Sequence, residues 1–121
     1  MDKKSFKSRI NPRIQTVVTA SYKSDDPGDQ FKEGVVTNFS RTGLFIETVS
    51  VFPLHTRIII DVFLPDEDTA LRLTGEVKNV ILDESVVKGM GIEIFLDNVK
   101  DSDRDRLSEF FDLNHVYGWF C

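Results

Sequence analysis

Two short groups of side chains carry the chemistry this chain offers. Arg9 and Arg13 stand four residues apart in Arg9-Ile10-Asn11-Pro12-Arg13, and Asn38, Ser40 and Gly43 lie in Asn38-Phe39-Ser40-Arg41-Thr42-Gly43. A guanidinium is a planar fork of N–H donors that fits two oxygens of a phosphate or the O6/N7 edge of guanine. Asn38 adds an amide and Ser40 a hydroxyl, and strand alternation would turn both to one side of the chain. Gly43 permits backbone angles, or a close approach, that a Cβ would block. Pro12 stiffens its segment and biases Asn11 away from helix, so the two forks project from an extended leader as it meets the first strand. None of these groups breaks bonds. Together they suit a compact guanine nucleotide with two phosphates, and the expected task is sensing. Taken separately, each group also fits a plainer reading, a solvated basic terminus in one case and a polar hairpin turn in the other.

Other chemistries find little support. His55 and His115 are far apart and lack Cys, Asp or Glu neighbours at metal-ligand spacing, so they read as ordinary surface or edge histidines. The acidic runs Asp66-Glu67-Asp68 and Asp101-Ser102-Asp103 lack the alternating ligands, central glycine and closing Glu of a calcium loop, and read as turns and helix caps. Gly89-Met90-Gly91 is too short to cradle a phosphate and has no helix or lysine behind it; a tight lead-in to a strand explains it. There is no nucleophile elbow and no carboxylate pair in which one could raise the pKa of the other. We therefore expect no enzyme, no metal and no cofactor.

The composition sets the outer limits. With 121 residues the chain supports one hydrophobic core and one domain. The formal net charge of −5 argues against a general DNA or RNA binder, whose affinity comes from neutralising many phosphates. The charge is unevenly spread: five basic residues against one acid give residues 1–13 a net charge of +4 and leave −9 for the rest. A cationic arm, residues 1–13, thus precedes an acidic body, residues 14–121. No apolar run approaches the ~20 residues of a membrane helix, and no signal-peptide apolar region follows the charged start, so membrane insertion is not expected and a cytoplasmic location is. Cys121, the sole cysteine, allows no internal disulfide.

Alternation and turn residues outline the elements that must hold the motifs. Strands are predicted over Ile14–Tyr22, Phe31–Phe39, Leu44–Thr48, Arg57–Leu64, Leu71–Leu82 and Gly91–Phe95, separated by polar or Pro/Gly-bearing turns. The fourth is read as buried throughout, the fifth as having one wet face. About six short strands with no helix between them favour a closed antiparallel barrel or a sandwich. One helix is predicted from Asp101 or Ser102, with Asp105 placed for a capping box and Leu107, Phe110 and Phe111 on one face to cover an open barrel end. The aromatic residues Tyr117, Trp119 and Phe120 after it are expected to pack on the body.

In this order and strand context, with Gly89-Met90-Gly91-Ile92-Glu93-Ile94-Phe95 near the end, the two motifs resemble those of the PilZ domain family over nearly the whole chain. That resemblance implies a mainly β fold, a six-stranded antiparallel barrel with a C-terminal helix, and a binding site for the bacterial second messenger cyclic di-GMP built from an RxxxR and a [D/N]xSxxG motif. By that resemblance Arg9 and Arg13 would grip guanine edges and phosphates, Asn38 and Ser40 would hydrogen-bond a guanine or phosphate, and Gly43 would shape the loop. The position before the first arginine, often basic or hydrophobic in the family and thought to influence whether one or two nucleotides bind, is Ser8 here, which leaves stoichiometry open. The implied role is a non-catalytic adaptor that passes the nucleotide signal to a partner effector protein, with the basic arm ordering on the ligand. Two other readings stand beside it: an interaction module of the same fold that binds no nucleotide and works through Phe6, Trp119 and Phe120, and a small oligonucleotide-binding barrel, against which the acidic body counts.

Overall fold

The computed structural model describes the backbone of residues 14–40, 42–65 and 68–119, and within these the side chains of residues 18–111. Arg9 and Arg13 lie outside the described residues. Six strands follow one another, β1 (Ile14–Ser24), β2 (Lys32–Phe39), β3 (Gly43–Glu47), β4 (Arg57–Val62), β5 (Leu71–Asp83) and β6 (Val86–Ile94). They close in the order β1-β2-β3-β6-β5-β4, every neighbouring pair antiparallel, with β4 returning to β1. Of the barrel and the sandwich that the spacing of strands and turns left open, the fold is the barrel that the family resemblance implies, and closure removes the unpaired edges that an open sheet would leave.

Period-two patterning decides which side chains fill it. Along β5, Leu71, Leu73 and Val77 are fully buried while Arg72 and Lys78 face out. They meet Tyr22, Val36, Ile46, Ile58, Ile60 and Met90, all at 1% exposure or less, in one core. Each large apolar side chain removed from water in this way contributes roughly 1.5–3 kcal/mol. The core also holds one polar anchor: the Tyr22 hydroxyl donates to the Ser50 carbonyl at 2.6 Å and lies 2.8 Å from the Thr48 hydroxyl.

Helix α1 (Asp101–Trp119) turns Leu107, Phe110 and Phe111 onto the barrel, as its sequence periodicity predicts. Their target is Phe39 at the end of β2, whose ring centroid lies 5.9 Å from that of Phe110 and 5.2 Å from that of Phe111. Offset and edge-on aromatic contacts of this kind add to the burial of the rings. Since Phe39 stands between Asn38 and Ser40, the helix braces the polar motif from behind.

Several local expectations are corrected. β4 alternates instead of being buried throughout: a single-layered barrel leaves its outer face wet, and Asp61 there pairs with Arg72 of β5 at 2.7 Å. β6 begins at Val86, so Gly89-Met90-Gly91 lies inside a strand and is no lead-in; a Cβ on Gly89 would fall 2.2 Å from the Ile46 carbonyl oxygen of β3. The helix starts at Asp101, the first of the two predicted starts; its first hydrogen bond runs from the Arg104 N–H to the Lys100 carbonyl at 2.9 Å, so Ser102 lies inside the first turn and the capping box with Asp105 is not formed there. The helical backbone continues through Tyr117 and Gly118 to Trp119, so the aromatic run starts within the helix; the packing expected of Tyr117, Trp119 and Phe120 lies outside the described residues and side chains.

Candidate functional site

The turn between β2 and β3 is built by Ser40. The side chain is fully buried, and its hydroxyl oxygen accepts the N–H of Thr42 at 3.3 Å and of Gly43 at 3.2 Å. The hydroxyl donates in turn to the Gly43 carbonyl at 3.1 Å, and the Ser40 N–H donates to that same carbonyl at 2.8 Å. A short hydroxyl side chain that satisfies backbone groups two and three residues on is the favoured stabiliser of such a turn. Ser40 is thereby committed to the turn itself, and the outward hydroxyl suggested by simple alternation is not what the fold uses. Gly43 then opens β3 opposite Glu93 of β6, where a Cβ would stand 2.8 Å from the Ile92 carbonyl oxygen. The close approach expected of this glycine is made to a neighbouring strand.

Asn38 departs from strand geometry. Its φ is 64°, the left-handed region that Asn enters more readily than most residues because its short amide bonds locally. The β1–β2 ladder slips at this point: Ile14 pairs with Phe39 and Val17 with Thr37, so two residues of β1 oppose Asn38. The extra residue of this bulge lies in β1. The left-handed φ of Asn38 breaks alternation between Asn38 and Ser40, and the half-buried Asn38 joins Gly43 in lining a surface cleft of about 520 Å³. Ligand clefts commonly fall near ~300–1,000 Å³.

The remaining walls come from β3, β5 and β6. Leu44 and Phe45 give an apolar surface; Lys78, Asn79 and Glu93 give polar groups. Space for the Phe45 ring exists because position 89 is glycine: a Cβ there would come within 2.7 Å of the ring. Lys78 Nζ lies 3.3 Å from Glu76 Oε2 and 3.4 Å from Glu93 Oε1, and these carboxylates raise the lysine pKa above its ordinary value, so it stays charged. Glu76 is lowered first by its hydrogen bond with the His55 ring at 3.0 Å and then by Lys78. A cleft with an amide, a cation, a carboxylate and an aromatic face can take a planar polar base bearing an anionic group; among its described groups none is placed as a nucleophile with a base.

A larger groove of about 740 Å³ lies between the start of α1 and strands β4 and β5 and contains none of the motif residues. Its arginines are paired with other groups of the groove. Arg72 holds both carboxylate oxygens of Asp61 at 2.7 and 2.8 Å, and Arg106 pairs with Asp103 at 3.0 Å and donates to the carbonyls of Thr69 and Ala70. Among the described residues, no three His, Cys, Asp or Glu side chains gather to hold a metal, and no helix is long and apolar enough to cross a membrane. His55 is largely exposed, the surface histidine expected.

Of the five residues singled out by sequence, the fold brings Asn38, Ser40 and Gly43 into one turn beside the cleft. Lys78 and Asn79 were read only as members of an alternating strand; a bulge in β5, visible only in the cross-strand register, brings them to the cleft.

The structure is similar to that of an inhibitor of motility from Bacillus subtilis, MotI/DgrA, with a TM-score of 0.70 at 15% identity over 91% of this chain. The chain spans about half, 52%, of that protein's chain. Comparison with curated proteins finds no significant match. The sequence matches the PilZ domain over residues 7–112, a span that takes in the RxxxR segment, the whole barrel and the buried face of the helix; the chain belongs to the PilZ domain family.

Proposed function

We propose that this protein is a receptor for cyclic di-GMP, which binds in the cleft beside Asn38 with Arg9 and Arg13 gripping guanine edges and phosphates. PilZ domains are in general cyclic di-GMP-binding, non-catalytic adaptor modules. For this chain the supporting observation is the pairing of Ile14 with Phe39. Ile14, the residue after Arg13 in sequence, stands opposite Phe39, the residue after Asn38, which supports a reading in which both motifs serve one site. On that reading Arg13, which directly precedes Ile14 in sequence, acts together with Asn38 although 25 positions separate the two. In this reading Asn38 hydrogen-bonds the ligand, Ser40 and Gly43 hold the turn that presents it, and Phe45 offers a face for a base.

The basic arm supplies the response. Net charge of +4 on residues 1–13 is compensated when two phosphates arrive, and the nucleotide draws the arm onto the barrel. The resulting surface of arm, ligand and barrel is read by a downstream effector protein, which makes the domain an adaptor with no chemistry of its own.

Calorimetric titration with cyclic di-GMP, beside GTP and cyclic di-AMP, tests the reading. Saturable binding selective for cyclic di-GMP is expected. A charge-assisted contact contributes roughly 1.5–3 kcal/mol, so Arg9→Ala or Arg13→Ala should each weaken binding by about tenfold to a few hundredfold. Absence of binding by the intact protein, or changes below about threefold for both variants, would move the function to a nucleotide-independent interaction module, with partner capture as the next assay.

A further inference from the structure

At the cleft β5 holds one residue more than the strand it pairs with. Val77 pairs with Ile92 and Asn79 with Gly91, which leaves Lys78 as the extra residue of a second β-bulge. Bulges re-aim side chains and recur beside functional sites. This one is stapled in place: the Gly91 N–H donates to Asn79 Oδ1 at 3.1 Å, and a Cβ on Gly91 would fall 2.4 Å from that oxygen. The residue so presented is the one cation among the described residues lining the cleft, and Glu93 is the one anion. Lys78 and Glu93 lie 3.4 Å apart with side chains 46% and 52% exposed.

An exposed ion pair of this kind contributes little, since water and salt screen it and both side chains lose freedom to form it. A phosphate held in the cleft by the ligand's other contacts offers the lysine a competing charged acceptor that is already positioned. We propose that Lys78 is a specificity-determining contact, exchanging Glu93 for a phosphate of the bound nucleotide, and that Glu93 holds the empty cleft against unselective anions. The inference rests on the cyclic di-GMP reading and extends the site beyond the two motifs to β5 and β6. It also assigns the glycine at position 91 a task, since a Cβ there would displace the Asn79 side-chain oxygen that accepts the Gly91 N–H.

The test is titration of the full chain with cyclic di-GMP at low and high salt, with thermal melts confirming that each variant folds. Lys78→Met should weaken binding about fivefold to tenfold, less than the tenfold to few-hundredfold of a buried charge-assisted contact because the site is half exposed. Lys78→Arg should stay within about twofold because it keeps the charge. Glu93→Gln should tighten binding severalfold and raise the affinity for GTP as well, because, of the two carboxylates that pair with Lys78, the one lining the cleft is gone while Glu76 remains. The difference between wild type and Lys78→Met should shrink at high salt. Wild-type binding with Lys78→Met indistinguishable from it would overturn the assignment while leaving the receptor reading standing; weaker binding by Glu93→Gln would overturn the competitive role of Glu93. If the wild type binds no cyclic di-GMP, the receptor reading falls and this inference with it.

Discussion

Ser40 and Gly43 close the β2–β3 turn on each other: the buried Ser40 hydroxyl accepts the Gly43 N–H at 3.2 Å and donates to the Gly43 carbonyl at 3.1 Å. The serine of the motif thus acts on the shape of the β2–β3 loop. Replacing it with alanine strands the Gly43 and Thr42 N–H groups. Ser40→Ala is expected to cost about 1–3 kcal/mol, the penalty for buried groups left unpaired. Urea denaturation measures it; a loss under about 0.5 kcal/mol would mean that the loop holds without this hydroxyl.

Gly43→Ala tests the other half of the pair. The added Cβ would meet the Ile92 carbonyl oxygen at 2.8 Å, and that oxygen belongs to a backbone strand that cannot rotate away. Forcing an extra methyl into a packed site costs about 1–3 kcal/mol. Stability should fall by that order and nucleotide affinity should fall with it, as β3 and β6 are pushed apart beneath the cleft. Parallel denaturation and titration would check both; an unchanged variant would show that the strands separate freely.

Tyr22 anchors the loop after β3 from within the core. Its hydroxyl donates to the Ser50 carbonyl and contacts the Thr48 hydroxyl, and burial raises its pKa against the lowering effect of Thr48. Tyr22→Phe keeps the ring and deletes the donor, so a loss of about 1 kcal/mol is expected. On the proposed reading the variant should keep its nucleotide affinity, because Tyr22 pairs with Lys32 at the far end of the β1–β2 ladder from Phe39; a matched fall in affinity would contradict that separation.

Asp29 makes the fold sensitive to acid. Its carboxylate accepts the N–H groups of Ser24 and Gln30, each at 2.9 Å, and an ion pair from Lys32 at 3.2 Å, and it is held well below its ordinary value of 3.8, first by the Ser24 bonds. A carboxylate depressed in the folded state stabilises above the unfolded value, and that contribution is lost as pH falls through the folded one. Wild type and Asp29→Asn should therefore differ most near pH 7 and converge as pH drops below about 4. Thermal melts across that range read the difference; a gap that widens in acid would refute the sign.

The sequence by itself determined the strand count, the single helix and the face it buries, because alternation, turn residues and helical spacing are local properties that survive into the fold. Leu71, Leu73 and Val77 point inward as their period requires, and Leu107, Phe110 and Phe111 form the helix face that their spacing predicts. The motif residues were legible as residue types at fixed spacing. Their roles were not. That Ser40 is spent on its own turn, that Asn38 takes a left-handed φ where the β1–β2 ladder slips, and that β6 starts at Val86 all depend on which residues stand opposite one another. So does the arrival of Lys78 and Asn79 at the cleft, which requires the extra residue in β5 to be matched against Gly91, twelve positions past Asn79. Local period fixes which face a side chain takes in an ideal strand; only closure of the barrel, with its bulges and its backbone approaches too tight for a Cβ, decides where that face breaks step.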